Sequence, residues 1–190
     1  NTLRQAPDVI LIGEIRDKET MQAAIAYAQT GHLCLATLHA NNSYHALNRI
    51  ISFCPLENRP ALFLDLSVAL RAGVSQRLVK KPDGKRIPTS EIMLNTRHIS
   101  ELIERGEVQG IKDAMEQTLA PGSQTFEQDL FNLYSSGTIT IDEALANADS
   151  PTNLSWLINN SEFGSTNGKE DRKIDAALDF DSTSDGGTSF

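Results

Sequence analysis

The sequence predicts an α/β fold built on parallel strands. Three observations carry this expectation. Val9, Ile10, Leu11 and Ile12 form a continuous apolar run between Pro7 and Gly13. A second apolar run lies in "HLCLATLHA", and a segment of helical periodicity separates the two. A short continuous apolar run reads as a strand buried on both faces, the kind found in parallel sheets.

The elements follow in order. Residues 18–30, "KETMQAAIAYAQT", place Met21, Ala24, Ile25 and Ala28 on one helical stripe, with Gly31 where a helix ends. The run "HLCLATLHA" is the second strand, ending in polar residues. A helix from about Ser43 carries Ala46, Leu47, Ile50 and Ile51 on one face and stops before Pro55. Strand, helix, strand within so short a span is a βαβ unit with parallel strands. Residues 57–79 read as one long helix or two short ones, with Pro60 tolerated in the first turn. "RLVKKPDGKRIPTSEIML" reads as a hairpin turning at Pro82-Asp83-Gly84. From Ile99 the pattern turns helical, with Ile99, Leu102 and Ile103 on one face. "IKDAMEQTL", "FEQDLFNLYSSG" and "TIDEALANA" continue as short amphipathic helices. Between residues 159 and 190, 15 of 32 positions are Gly, Ser, Thr or Asn, and seven acids oppose three bases. Such a segment cannot bury a core and reads as a disordered acidic tail.

Composition narrows the function classes. The net charge of −8 disfavours binding nucleic acid by phosphate neutralisation. No apolar run reaches the roughly 18 residues of a membrane span, so direct membrane insertion is not expected. The opening "NTLRQAPDV" lacks the layout of a signal peptide and begins without Met, so part of a longer protein is expected. Cys34 and Cys54 sit among apolar residues with no CxxC pair, which reads as free thiols in a reducing compartment and excludes a thiolate zinc site.

The candidate site begins with the charged cluster Glu14, Arg16 and Asp17 just after the first strand. Ligands of open α/β sheets bind outside the C-terminal strand ends. A carboxylate there coordinates Mg²⁺ through water or orients an attacking water. Alternatively, the cluster is a solvated turn with a plain surface ion pair. His39 lies at the polar end of the second strand, beside Thr37, near Glu14 if the two strands are neighbours. It senses phosphate or positions water, or it is a hydrogen-bonded structural histidine. His32 is seven residues earlier, on the opposite side of one straight strand, where a structural role is favoured. His45 and His98 read as surface residues. Arg4, ahead of the first strand, can stabilise phosphate charge. No GxxxxGK[ST] occurs in the 190 residues, so the chain is not a complete P-loop NTPase.

These stretches carry a resemblance. "LRQAPDVILIGEIRD" resembles the Walker B region of secretion and type IV pilus ATPases, and "TGHLCLATLHANN" resembles their His box, in the family's order and spacing. "SQRLVKKPDGKRIPTSEIMLNT" and "HISELIERGE" resemble the hairpin and helical segment that follow in pilus retraction motors. The second of these stands in altered form where the family carries its "AIRNLI" box. "SQTFEQDLFNLYSSGTITIDEALANADS" resembles the family's "MQTFD" segment. From about residue 3 to 155 the chain is identified as a member of the PilT/PilU family, closer to its PilU branch in "HLCLATLHANN" and "ALANADSPTNL".

The resemblance implies a RecA-like core that works as a hexameric ring, with ATP and Mg²⁺ as cofactors. It implies that the P-loop half, an Asp box and a PAS-like domain lie upstream. Residues 1–95 would be the C-terminal part of the RecA-like domain, 96–158 a helical C-terminal segment and 159–190 the tail. By the same carry-over Glu14 is the Walker B glutamate, which holds Mg²⁺ through water. His32 and His39 are the His-box histidines, and Arg4 and Arg16 match arginines flanking Walker B. The implied function is ATP-driven pilus retraction at the cytoplasmic face of the inner membrane. The implied partners are further copies or a PilT-like motor, and the membrane platform protein of the pilus. Two other functions stand beside it: a non-hydrolysing coupling subunit of the motor, or a related assembly or secretion ATPase. The second of these usually carries a four-cysteine zinc motif in this half, which two cysteines do not match.

Overall fold

A computed structural model describes residues 7–117 and 120–161 of the 190-residue chain. Strand β1 (Val9–Ile12) leads to helix α1 (Lys18–Gln29), strand β2 (Leu33–Ala36) and helix α2 (Ser43–Ser52). The two strands pair in parallel, Val9 opposite Leu33 and Ile12 opposite Ala36, so the βαβ unit is present. Asp17 caps α1 by accepting from the Thr20 backbone N–H at 2.8 Å. Gly31, at φ 94°, takes the left-handed conformation that ends the helix.

The expectation that β1 is buried on both faces is overturned. Ile10 is 6% exposed, but Val9 is 51% and Leu11 74% exposed. Side chains alternate along a strand, and only the face carrying Ile12 and Cys34 packs against the helices. The other face presents Val9, Leu11, Leu33 and Leu35 as an exposed apolar row.

The helix expected over residues 57–79 also needs correction. A single turn at Leu56–Asn58 enters helix α3 (Arg59–Ala69), with Pro60 in its first turn as expected. Leu70 then turns extended (ψ 136°), and strand β3 (Ala72–Lys80) begins five residues earlier than the hairpin pattern suggests. Its partner β4 (Arg86–Leu94) matches it residue for residue, from Ala72–Leu94 to Lys80–Arg86. Nine-residue pairing outweighs the helical reading of 70–79, where Gly73 and the β-branched Val74 favour no helix. Gly84 (φ 82°) supplies the turn.

Beyond the hairpin come α4 (Arg97–Glu104), a single turn at Val108–Gly110, α5 (Ile111–Gln117), α6 (Phe126–Ser135) and α7 (Ile141–Asn147). A last helix, α8, spans 151–161, so it begins within the expected helical segment 96–158 and runs three residues past it. Its start is written in the sequence. The Ser150 hydroxyl accepts from the Asn153 N–H at 3.3 Å, and Pro151 occupies the first helical position. Leu154 and Ile158 lie four apart on its buried face. Residues 159–161, expected in the tail, are therefore helical. The remainder of that expected tail, 162–190, lies outside the described residues.

Two apolar clusters form. The first gathers Met21 of α1, Leu47 of α2, Leu66 of α3, Met93 of β4, Ile99 of α4 and Met115 of α5. The second joins Val79 of β3 to Phe126 and Leu130 of α6, Ala144 of α7, and Leu154 and Ile158 of α8. One face of the hairpin thus touches the first cluster through Met93 and the second through Val79. Between these residues, Asp129 of α6 accepts from the Thr89 hydroxyl and the Ser90 N–H, both at 2.8 Å. Among the described residues no helix is long and apolar enough to cross a membrane.

Candidate functional site

Parallel pairing brings the C-terminal ends of β1 and β2 side by side. Past those ends the two segments remain laced together. The Ile15 N–H donates to the Thr37 carbonyl at 2.9 Å, and the Thr37 hydroxyl donates to the Gly13 carbonyl. Glu14, held between these two links, projects at the strand edge.

Its carboxylate has two partners. Oε2 accepts from Arg16 Nε at 2.5 Å, and Oε1 lies 3.2 Å from His39 Nε2. The side chains of Arg16 and His39 are 76% and 83% exposed, while that of Glu14 is 19% exposed. The Arg16 hydrogen bond holds the Glu14 carboxyl below its ordinary value, against a smaller opposing effect of desolvation. The charges of Arg16, His39 and Arg49 act in the same direction as the hydrogen bond. The group is therefore an anion at neutral pH. An ionised carboxylate on a rigid edge, with a cation and an imidazole beside it, can orient a water or carry a hydrated divalent cation. Among the described residues no cluster of three or more His, Cys, Asp or Glu side chains is arranged to hold a metal alone. The donor set fits an ion that brings phosphate and water as its other ligands.

The remaining candidates sort by position. His39 stands beside Glu14, but on a loop: β2 ends at Ala36, so strand alternation does not set its direction. The Thr37 hydroxyl is engaged by the Gly13 carbonyl and serves the lacing of the two segments. His32 precedes β2 and so lies at the opposite edge of the sheet from Glu14. Its Nδ1 is 3.2 Å from the Tyr27 carbonyl and 3.0 Å from the Thr30 hydroxyl, at the end of α1. The Asp17 carboxylate is engaged as the cap of α1. Arg4 lies outside the described residues. His45 and His98 are exposed, as expected. Cys34 and Cys54 are free thiols, the first half-buried and the second buried.

The sequence reading missed two contributions. Arg49 of α2 adds positive charge near Glu14, although 35 positions separate them. At the far end of the His39 loop, Arg77 of β3 donates to the Asn41 carbonyl at 3.1 Å and to Asp149 at 2.5 Å. The Asn42 amide donates to the other Asp149 oxygen at 2.8 Å. Positions 42 and 149 are 107 apart, and no spacing rule connects them.

Comparison with known proteins bears on the family and the fold. The family described as Type II/IV secretion system protein matches residues 1–91. The type IV pilus ATPase PilU of Pseudomonas aeruginosa is 53% identical over 159 residues, covering 83% of this chain and 42% of that protein. The type IV pilus retraction ATPase PilT of the same organism is 35% identical over 154 residues, covering 81% of this chain and 45% of its own length. A crystal structure of the pilus retraction motor PilT with bound ADP superposes with a TM-score of 0.72 at 35% identity, covering 81% of this chain and 43% of that one. The chain spans somewhat under half the length of these relatives. It has their α/β, RecA-like fold, and it belongs to the type II/IV secretion ATPase family, among its PilT/PilU-like members.

Proposed function

We propose that this chain carries the hydrolytic edge of a type IV pilus motor ATPase. The observation that supports this most is the Glu14 carboxylate at the end of a parallel strand, 2.5 Å from Arg16 and 3.2 Å from His39. Phosphoryl transfer to water needs positioning and charge neutralisation more than covalent chemistry. In this reading Glu14 orients the attacking water and would help to hold Mg²⁺ through water. Mg²⁺, when present, neutralises charge on the transferred phosphate. Arg16 keeps Glu14 ionised and aimed. His39 offers the γ-phosphate one hydrogen bond that vanishes when phosphate departs. Thr37 laces the edge to Gly13, whereas His32, at the other end of the strands, ties α1 to the start of β2. Arg4 adds positive charge near the phosphates.

The backbone cradle for the phosphates comes, in this proposal, from outside these 190 residues, since they contain no GxxxxGK[ST]. The motor works as a hexamer or as a mixed ring with a PilT-like partner. It acts on the pilus platform protein from the cytoplasmic side of the inner membrane. Residues 1–95 form the tail end of the RecA-like unit, and 96–158, now extended to 161, a helical C-terminal segment.

The test is Glu14→Gln in the full-length parent. ATP binding should persist while turnover falls at least about tenfold, equivalent to about 1.4 kcal/mol of barrier. Unchanged turnover would return the cluster to a surface ion pair. Normal pilus retraction by a variant with no turnover would instead favour a coupling subunit.

A further inference from the structure

We propose that Arg77 and Asp149 are positioning residues for His39, clamping its loop to the C-terminal helices. The proposal rests on the reading of Glu14 and His39 given above.

The His39 side chain is 83% exposed, and Glu14 is its polar partner. With one polar contact on an otherwise exposed ring, its place depends on how the loop backbone is held. That backbone is anchored on both sides. Two residues before His39, Thr37 is tied to Gly13 and Ile15. Two residues after it, the Asn41 carbonyl accepts from Arg77. Two residues of chain span at most about 7 Å, so both anchors act directly on His39.

The second anchor is built for rigidity. The Arg77 guanidinium lies 3.9 Å above the ring of Phe126, a fully buried residue. Stacked there, it donates to the Asn147 carbonyl at 2.7 Å, to the Asn41 carbonyl at 3.1 Å and to Asp149 Oδ1 at 2.5 Å. A planar fork with three acceptors and an aromatic floor has one arrangement available. Asp149 in turn accepts from Asn42 Nδ2 at 2.8 Å, while Asn42 Oδ1 caps α2 by accepting from the His45 N–H at 2.9 Å. The neighbouring Ser150 N–H donates to Glu127 at 2.7 Å, and Lys112 reaches the same oxygen at 3.0 Å. The segment between α7 and α8 is therefore fixed to α6, and through Arg77 and Asp149 it fixes the His39 loop. Lys112 and Arg77 are the charges that face Asp149.

A purely structural ion pair and a positioning pair differ in one measurable way. A positioning pair acts through His39, so its effect disappears when His39 is absent. The experiment is a double-mutant cycle in the full-length parent, reading kcat, KM for ATP and thermal melting. Asp149→Asn should lower kcat roughly fivefold and leave KM within about twofold. In a His39→Ala background the same substitution should change kcat by less than about twofold. Asn42→Ser is the second arm. It retains a helix-capping oxygen but loses the amide that reaches Asp149. It should lower kcat in the same direction, again only when His39 is present. An equal kcat loss in both backgrounds, or no loss with His39 present, overturns the proposal. Failure of the underlying reading looks different: Glu14→Gln and His39→Ala would then turn over normally.

Discussion

At the residue scale the proposed site rests on Glu14, whose carboxyl is held ionised by a neighbour that can be removed. Its folded-state value is depressed, chiefly by the Arg16 hydrogen bond. For a depressed carboxyl the stabilising contact is fully present above the ordinary value and is lost as pH falls through the folded-state value. A carbon-detected NMR titration of Glu14 should therefore give a midpoint below the ordinary glutamate value, and Arg16→Ala should move it up toward that value. An ordinary midpoint with Arg16 intact would mean that the pair does not persist in solution. The two histidines should part company in the same way that their positions do. His39→Ala, at an exposed site, should leave stability within about 0.5 kcal/mol while lowering turnover. His32→Ala removes contacts to Tyr27 and Thr30 at the end of α1 and should cost about 1 kcal/mol. Paired melts and rates check both; an unfolded His39→Ala beside an inactive but stable His32→Ala would reverse the assignment.

At the element scale the ends of helices carry much of the specification. Gly106 closes α4 at φ 72°, and a Cβ there would sit 2.7 Å from Cε2 of Phe63. Gly106→Ala meets both a backbone and a steric penalty, so it should destabilise by at least about 1 kcal/mol, read by chemical denaturation. Leu154→Ala, on the buried face of α8, should cost about 2–5 kcal/mol. A cost near zero would show that α8 does not seal the second cluster. The short helices and the hairpin turn were legible because their signals are local: apolar spacing along each helix, and Gly31 and Gly84 at turns. The reach of β3 back to Ala72 was not legible. It depends on nine cross-strand partners, which only the folded chain supplies. The start of α8 was legible in Ser150-Pro151 but was masked by the polar composition that follows it.

At the scale of the whole molecule the candidate site divides the same way. Glu14, Arg16 and His39 could be named from the sequence because each follows an apolar strand, and the parallel pairing of those strands brings them together. Arg77, Asp149 and Asn42 could not, since β3, the α7–α8 junction and the α2 cap meet only through tertiary packing. The hairpin joins the two halves of this division. One face touches the cluster beneath the strand edge at Met93 and the cluster of C-terminal helices at Val79. Displacement of the C-terminal helices must therefore strain the hairpin or the His39 loop, because the same arginine holds both.

The uncovered row of Val9, Leu11, Leu33 and Leu35 has a consequence for handling the protein. A contiguous greasy ribbon is a site for self-adhesion when nothing lies on it. Residues 1–190 by themselves should enhance the fluorescence of a dye such as anilinonaphthalene sulfonate and lose monomer as concentration rises. Lysine at Leu11 and Leu35 should suppress both effects without shifting the melt of the isolated chain. The same pair of substitutions, made in the full-length parent, should lower its melting temperature if another layer of that protein lies over the ribbon. Colloidal behaviour thus becomes a footprint: the positions whose charging rescues solubility in the short form and harms stability in the long form trace the hidden seam between them.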